Sequence, residues 1–334
     1  MTVELWTSTG FLEQVREWVT GQARGSGLEL TGEYDQPHAR VWSSAVRFET
    51  SGGRLWFKVN GPGTRHEPAL LQVLARRVPA LVPELLGVHL GNGWSLSRDA
   101  GPTLRQALSP EQSWAAWESV VASYAEAQVQ LAGEREAVLG AGVREVSPRT
   151  VPEHAAALVR ELGMLPRDQG GLSAEEVDRL SGVLPRLVSR CAELGSSGVP
   201  DSVQHDDLHS GNVCWNGSAG TARVIDWGDT TWGFPLATML TTLASVAFHA
   251  VGPEAYVDGQ PDTPEVLRVR DAYLEPFTAF ATRTDLRRLV DVARATGCVG
   301  KAMSWRAALH GAPVSGHADH DFPVRTWLLD LLQA

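Results

Sequence analysis

Cysteine is scarce in this chain. The three present, Cys191, Cys214 and Cys298, lie far apart, with no Cys-x-x-Cys pair. That excludes a disulfide framework and fits a reducing compartment, so a cytoplasmic protein is expected. No apolar run reaches the length of a membrane span. Residues 1–20 are amphipathic and hold Glu4, Glu13 and Glu17, which argues against a secretory signal. Positive charge is in deficit: 29 Lys and Arg face 39 Asp and Glu, a formal net charge of -10. Non-specific nucleic-acid binding needs a basic surface and is not expected. An acidic balance suits solubility and can attract cationic substrates where charge is concentrated locally. No fixed-period repeat or low-complexity tract is found. What remains is a chain of 334 residues, 43% hydrophobic and 20% charged. That is ordinary for a globular protein and enough for two lobes, each with its own core. Nothing in it speaks to oligomeric state.

The first half reads as strands flanked by helices. Phe11, Leu12, Val15, Trp18 and Val19 have helical spacing over residues 11–19. Strand-like runs follow at 28–34, 41–49 and 55–59, and Ser51-Gly52-Gly53-Arg54 is a hairpin turn between the last two. A helix is expected over 67–77 and short strands over 83–90 and 93–96. From Gly101 onward the pattern is mostly helical. The expected fold class is α+β and bilobal: an antiparallel sheet with one helix over 1–100, then a mostly helical lobe over 101–334, with the boundary near 99–103. Residues 144–171 read as an insertion or lid, and 252–264 as a surface loop rich in Gly and Pro.

The most informative segment is His205-Asp206-Asp207-Leu208-His209-Ser210-Gly211-Asn212, followed by Val224-Ile225-Asp226-Trp227-Gly228. Phosphoryl transfer needs a carboxylate to accept the proton of an attacking hydroxyl. It also needs an amide oxygen and a second carboxylate to hold the magnesium that bridges nucleotide phosphates. Asp207 and Asn212 hold the His-x-Asp-x-x-x-x-Asn spacing of a kinase catalytic loop, and Asp226 stands where a metal Asp belongs. A polar loop between two strands would use such residues singly; their joint spacing is what points to chemistry. The form His-x-Asp-Leu-His-x-Gly-Asn followed by Ile-Asp-Trp-x-Asp resembles the aminoglycoside phosphotransferase and choline kinase superfamily more than protein kinases. No long activation segment follows Asp226, because Gly233-Phe234-Pro235 comes almost at once.

The resemblance implies a small-molecule kinase with ATP and Mg2+ as cofactors and a hydroxyl-bearing acceptor: a sugar, amino sugar or amino alcohol. It implies Asp207 as general base and Asn212 and Asp226 as magnesium ligands. Lys58, on the third strand, would hold the nucleotide phosphates and pair with Glu67. The alternatives are an outward Lys58 on an edge strand and a Glu67 that only complements a helix dipole. The phosphate loop, read as 35–44, has no Gly-x-Gly-x-x-Gly, so Ser43 and Ser44 are its candidates; His38 and Arg40 could touch phosphate or simply be solvated. Backbone groups of Leu96, Ser97 and Arg98 would meet adenine, and Asp99 would bond ribose or cap a helix. His205 would tie the loop to the Asp226 region. Asp206 stands where glycine is common, and Thr238 where many relatives have Asp.

On the acceptor side, Asp229 could bind a second metal, contact a cationic substrate or cap a helix. Trp305 and His310 are candidate substrate residues, with Arg306, His249, Trp232 and Trp227 behind them. His310, His317 and His320 could also form a metal cluster. Two other functions compete with the kinase: a nucleotide-binding module without turnover, and a metal-dependent hydrolase built on the His310 cluster.

Overall fold

The computed structural model describes residues 3–109, 112–251 and 263–334. Helices α1 (Val3–Thr7) and α2 (Thr9–Gly25) precede strands β1 (Leu30–Ala39), β2 (Ser43–Thr50) and β3 (Gly53–Asn60). Helix α3 (Glu67–Arg77) and strands β4 (Leu85–His89) and β5 (Trp94–Arg98) complete the first lobe. The sheet order is β1-β2-β3-β5-β4, antiparallel throughout. Side-chain alternation sorts β3. Leu55, Phe57 and Val59 are buried with Val15, Val19 and Ala23 of α2, while Trp56 and Lys58 turn to the opposite face. Phe57, Trp18 and Trp94 meet edge to face at 5.4–5.9 Å, which seats α2 on the sheet.

The second lobe is mostly helical. It comprises α4 (Leu104–Ala107), α5 (Ser113–Leu131), α6 (Arg135–Gly140), β6 (Arg144–Val146), α7 (Val151–Gly163), α8 (Ala174–Ser196) and β7 (Ser202–Gln204). Then come β8 (Val213–Cys214), β9 (Arg223–Val224), β10 (Thr231–Gly233), α9 (Met239–Val251) and α10 (Pro264–Leu274). The chain ends with α11 (Arg283–Ala308), α12 (Val314–Ala318) and α13 (Pro323–Asp330). This is the two-lobed, protein-kinase-like α+β arrangement expected. Helix α3 spans the junction: Leu70, Val73 and Leu74 join the core of the second lobe, not that of the sheet.

Three expectations change. Strand β1 runs on to Ala39, and register shifts after Leu30 and after Asp35 carry it past Pro37, which has no N–H for the ladder. The phosphate loop therefore shrinks to Arg40-Val41-Trp42. Residues 144–171 are no lid: β6 pairs in parallel with β10, and β10 pairs with β7, so the segment is built into the second lobe. Of the expected surface loop, residues 252–262 lie outside the described residues, as does the side chain of His249. All three cysteines are unpaired and buried. Among the described residues no helix is long and apolar enough to cross a membrane.

Candidate active site

The polar face of β3 opens on a cleft of about 400 Å³ between the lobes. Trp56, Leu71, Leu85 and Ile225 give it apolar walls; Lys58, Glu67, Asn212 and Asp226 give it charge and polarity at one end. Lys58 is 20% exposed and sits 2.6 Å from Glu67, with Asp226 on its other side. Burial alone would lower the Lys58 pKa, but the two carboxylates outweigh it and raise it, so the ammonium stays charged. Glu67 is 1% exposed and fully engaged. It accepts from Lys58, from Asn60 Nδ2 and, at 2.9 Å, from the Trp227 N–H. The carboxylate at the start of α3 thus joins β3 to the segment carrying Asp226, a job beyond complementing the helix dipole.

The loop 205–212 leaves β7 under tight control from α5. Gln128 Nε2 donates to Val203 O at 2.7 Å, and the His205 N–H donates to Tyr124 Oη at 2.9 Å. His205 is fully buried; its Nε2 bonds Ile225 O at 2.8 Å, and its Nδ1 accepts from the Asp207 N–H at 3.3 Å. It therefore ties the loop to the residue before Asp226. Burial lowers its pKa to about 4, so the ring is neutral at pH 7. Asp206 takes a left-handed φ of 60°, a conformation glycine adopts freely and Asp tolerates. Its carboxylate accepts from Thr231 Oγ1 at 2.6 Å, and burial pushes its pKa up to about 6.

Asp207 faces the junction. Its Oδ1 lies 3.0 Å from Lys301 Nζ, and its Oδ2 lies 3.4 Å from both His209 Nε2 and Asn212 Nδ2. Burial alone would raise its pKa; Lys301 first, then His209, overturn that and hold the carboxylate ionised. Asn212 Nδ2 donates to Asp207 O at 3.0 Å, which directs the amide oxygen the other way. The Ile225 N–H donates to Asn212 O at 2.9 Å and brings Asn212 and Asp226 to one wall of the cleft. Asp226, also left-handed at φ 65°, has a half-exposed carboxylate. An amide oxygen and a carboxylate oxygen are hard donors suited to Mg2+, which keeps waters and takes the rest of its shell from phosphates. Among the described residues no group of three or more His, Cys, Asp or Glu is arranged to hold a metal ion. The His310, His317 and His320 cluster is thereby set aside, while a two-residue magnesium site is unaffected.

The sequence matches the phosphotransferase enzyme family (APH) over residues 36–274, well over half the chain. The chain belongs to that family. The phosphotransferase is a small-molecule kinase, and its fold agrees with those of solved relatives. It is similar to a macrolide 2′-phosphotransferase from Brachybacterium faecium (TM-score 0.57, 14% identity, 95% of this chain and 98% of that one). It is also similar to an ethanolamine kinase from Plasmodium vivax (TM-score 0.62, 13% identity, 98% and 89%). A choline kinase from Streptococcus pneumoniae is similar too (TM-score 0.56, 12% identity, 95% and 99%). At these identities the likeness speaks for the fold. No curated protein sequence matches the phosphotransferase significantly.

Several expected site residues in the phosphotransferase are placed differently from one another. Ser43 lines the cleft beside His38, 3.4 Å from its Nε2. Ser44 is fully buried on the other face; its Oγ donates to His38 O and accepts from Gln36 Nε2. Ser97 and Arg98 line the cleft, but Leu96 is in the core, paired on both sides in a central strand. The N–H groups of Arg98 and Asp99 go to Glu84 O and Arg54 O, the Gly101 N–H goes to Asp99 Oδ1, and residues 99–101 line the cleft. Asp99 accepts from Trp56 Nε1 at 3.1 Å; the helix after it is capped by Thr103 and Gln106 instead. Thr238 Oγ1 donates to Gln204 Oε1.

Asp229 lies near Asp207 and Lys301, and burial raises its pKa to about 7. Trp305 packs on Trp42 and His320, with ring centroids 5.6 and 5.4 Å away. His310 is not brought to the cleft; it lines a separate cavity of about 240 Å³ with Glu161, Arg306 and His317. Trp227 and Trp232 are core, and Arg306 pairs with Glu161. Lys301 was missed by sequence reasoning. The available signal was Gly297-x-x-Gly300-Lys301 inside a long helix. Glycine costs about 1 kcal/mol there relative to alanine, so a pair of them marks close packing.

Proposed function

We propose that the enzyme transfers the γ-phosphoryl group of ATP to a hydroxyl of a small molecule: a sugar, amino sugar or amino alcohol. The observation that carries this is Asp207, whose carboxylate lies 3.4 Å from Asn212, a residue that lines the polar end of the cleft together with Lys58, Glu67 and Asp226. In this reading residues 1–100 form the nucleotide lobe and 101–334 the acceptor lobe. The base lies between Trp56, Leu85 and Ile225, and meets the turn after Arg98. Lys58, held by Glu67, contacts the α and β phosphates, and Ser43 lies under the short phosphate loop. Asn212 and Asp226 hold Mg2+, which neutralises phosphate charge when bound. Asp207 orients the acceptor hydroxyl and takes its proton as the new O–P bond forms. The bond from the γ-phosphorus to the bridging oxygen breaks, and ADP leaves with the electron pair. Asp229 and Trp305 flank the acceptor side.

The test is Asp207→Asn, assayed with ATP, magnesium and a panel of sugars, amino sugars and amino alcohols. Asparagine keeps the shape but cannot take the proton, so kcat should fall by about 10²–10⁴-fold. Nucleotide affinity should be unchanged. Full turnover by the variant with an accepted substrate would overturn the role of Asp207.

A further inference from the structure

Helix α11 presses one face against the catalytic machinery. A Cβ added at Gly297 would come within 2.9 Å of Leu240 and 3.1 Å of Ala237 O, and one added at Gly300 would touch Asp206 at 3.5 Å. Ser304 Oγ donates to Asp229 O at 2.8 Å. Between these contacts stands Lys301, 5% exposed, with its ammonium 5.7 Å above the Trp327 ring and 3.0 Å from Asp207 Oδ1. A buried ammonium is costly, and an apolar residue of similar volume is often as stable in its place. Packing alone therefore does not account for a lysine here. The other contacts of the Asp207 carboxylate, to His209 and Asn212, are both 3.4 Å long. The 3.0 Å bond to Lys301 is the tightest of these contacts on that side chain.

We propose that Lys301 is a positioning residue for phosphoryl transfer: it clamps Oδ1 of Asp207 from outside the catalytic loop and so presents Oδ2 to the acceptor hydroxyl. This rests on reading Asp207 as the base. The hydroxyl proton passes to Oδ2 as the O–P bond forms, and leaves to solvent after product release; Lys301 keeps its own proton throughout. The rotamer of the base is thus set by a helix roughly a hundred positions downstream in sequence.

The experiment compares wild type, Lys301→Met, Lys301→Arg, Asp207→Asn and the double variant Asp207→Asn/Lys301→Met. Phosphate release is measured with magnesium and ATP, water serving as acceptor. Lys301→Met should lower kcat by about 10–100-fold, the scale of a misplaced reacting group, with KM for ATP within about twofold. Lys301→Arg should recover most of that loss. The double variant should be no slower than Asp207→Asn alone, because the two residues act as one unit. A kcat for Lys301→Met equal to wild type, or losses that multiply in the double variant, would overturn the inference. If Lys301→Met does not fold, Lys301→Gln, which keeps length and a donor, takes its place. If wild type neither releases phosphate nor phosphorylates any member of the acceptor panel, the reading of the enzyme's function is what fails. The crystal structure of Lys301→Met then judges the clamp alone: an Asp207 carboxylate still in its original rotamer overturns it.

Discussion

Lys58 pairs with two carboxylates, the buried Glu67 and the half-exposed Asp226. Glu67 is buried and keeps only Asn60 and the Trp227 N–H if Lys58 is removed. Breaking a buried pair by deleting one partner typically costs about 3–5 kcal/mol, and the remaining bonds of Glu67 place this case at the low end. Lys58→Met should therefore lower the melting temperature as well as weaken nucleotide binding, and Glu67→Gln in the same background should restore part of the stability without restoring the affinity. Calorimetric melting and nucleotide titration separate the two. Unchanged melting in Lys58→Met would mean that Glu67 does not depend on it.

At the scale of the element, helix α8 shows how one residue anchors a segment. Ser173 and Glu176 form a capping box at its N-terminus. Glu176 also pairs with Arg167 and, at 2.5 Å, with Arg325 of α13, while its carboxylate accepts from the Ser173 N–H at 2.8 Å. Burial would raise its pKa; the Ser173 N–H and the two guanidinium groups outweigh that and hold it at about 2. An acid depressed in the folded state stabilises the fold above its unfolded pKa of about 4.3. That contribution is lost as pH falls from there to about 2. Glu176→Gln should cost about 1–3 kcal/mol at pH 7, and the gap in melting temperature should narrow on acidification to pH 3. A gap that stays constant with pH would show that the charge is not what matters. Helix α11 makes the opposite use of sequence, giving up helix propensity at Gly297 and Gly300 so that Lys301 and Ser304 reach the loops of the second lobe.

Over the whole molecule, the two lobes meet at more than the cleft. Arg144 Nη1 donates to Gly63 O at 2.9 Å, and a Cβ at Gly63 would land on the Ala307 carbonyl. Trp42, at the tip of the phosphate loop, touches Trp305 and His320 of the second lobe at 5.6 and 5.0 Å. A ligand spanning the cleft should stabilise this assembly as a unit. Magnesium with ATP at 100 times its dissociation constant should add about 2.7 kcal/mol. The resulting rise in melting temperature should shrink when EDTA replaces magnesium. In Asp226→Ala the rise should no longer depend on magnesium; an equal, magnesium-dependent rise in that variant would remove Asp226 from the metal site.

The local patterns were enough to mark the α+β order of elements, the extent of α3 at 67–77 and the His205 to Asp226 constellation. Periodicity and side-chain chemistry act over a few residues and are written directly in the chain. The pairing of Glu67 with Lys58 was expected from the family resemblance, beside a helix-dipole alternative, and the two side chains lie 2.6 Å apart. Other features depended on which surfaces meet. Pairing of β6 with β10 and burial of α7 built the segment expected as an insertion or lid into the second lobe, and a bulged β1 shortened the loop between β1 and β2. Ladder bonds on both sides took Leu96 out of the cleft. Lys301 reaches Asp207 across 94 positions. Such contacts follow from packing of distant elements, where no local propensity carries the information, and only the tertiary structure decided them.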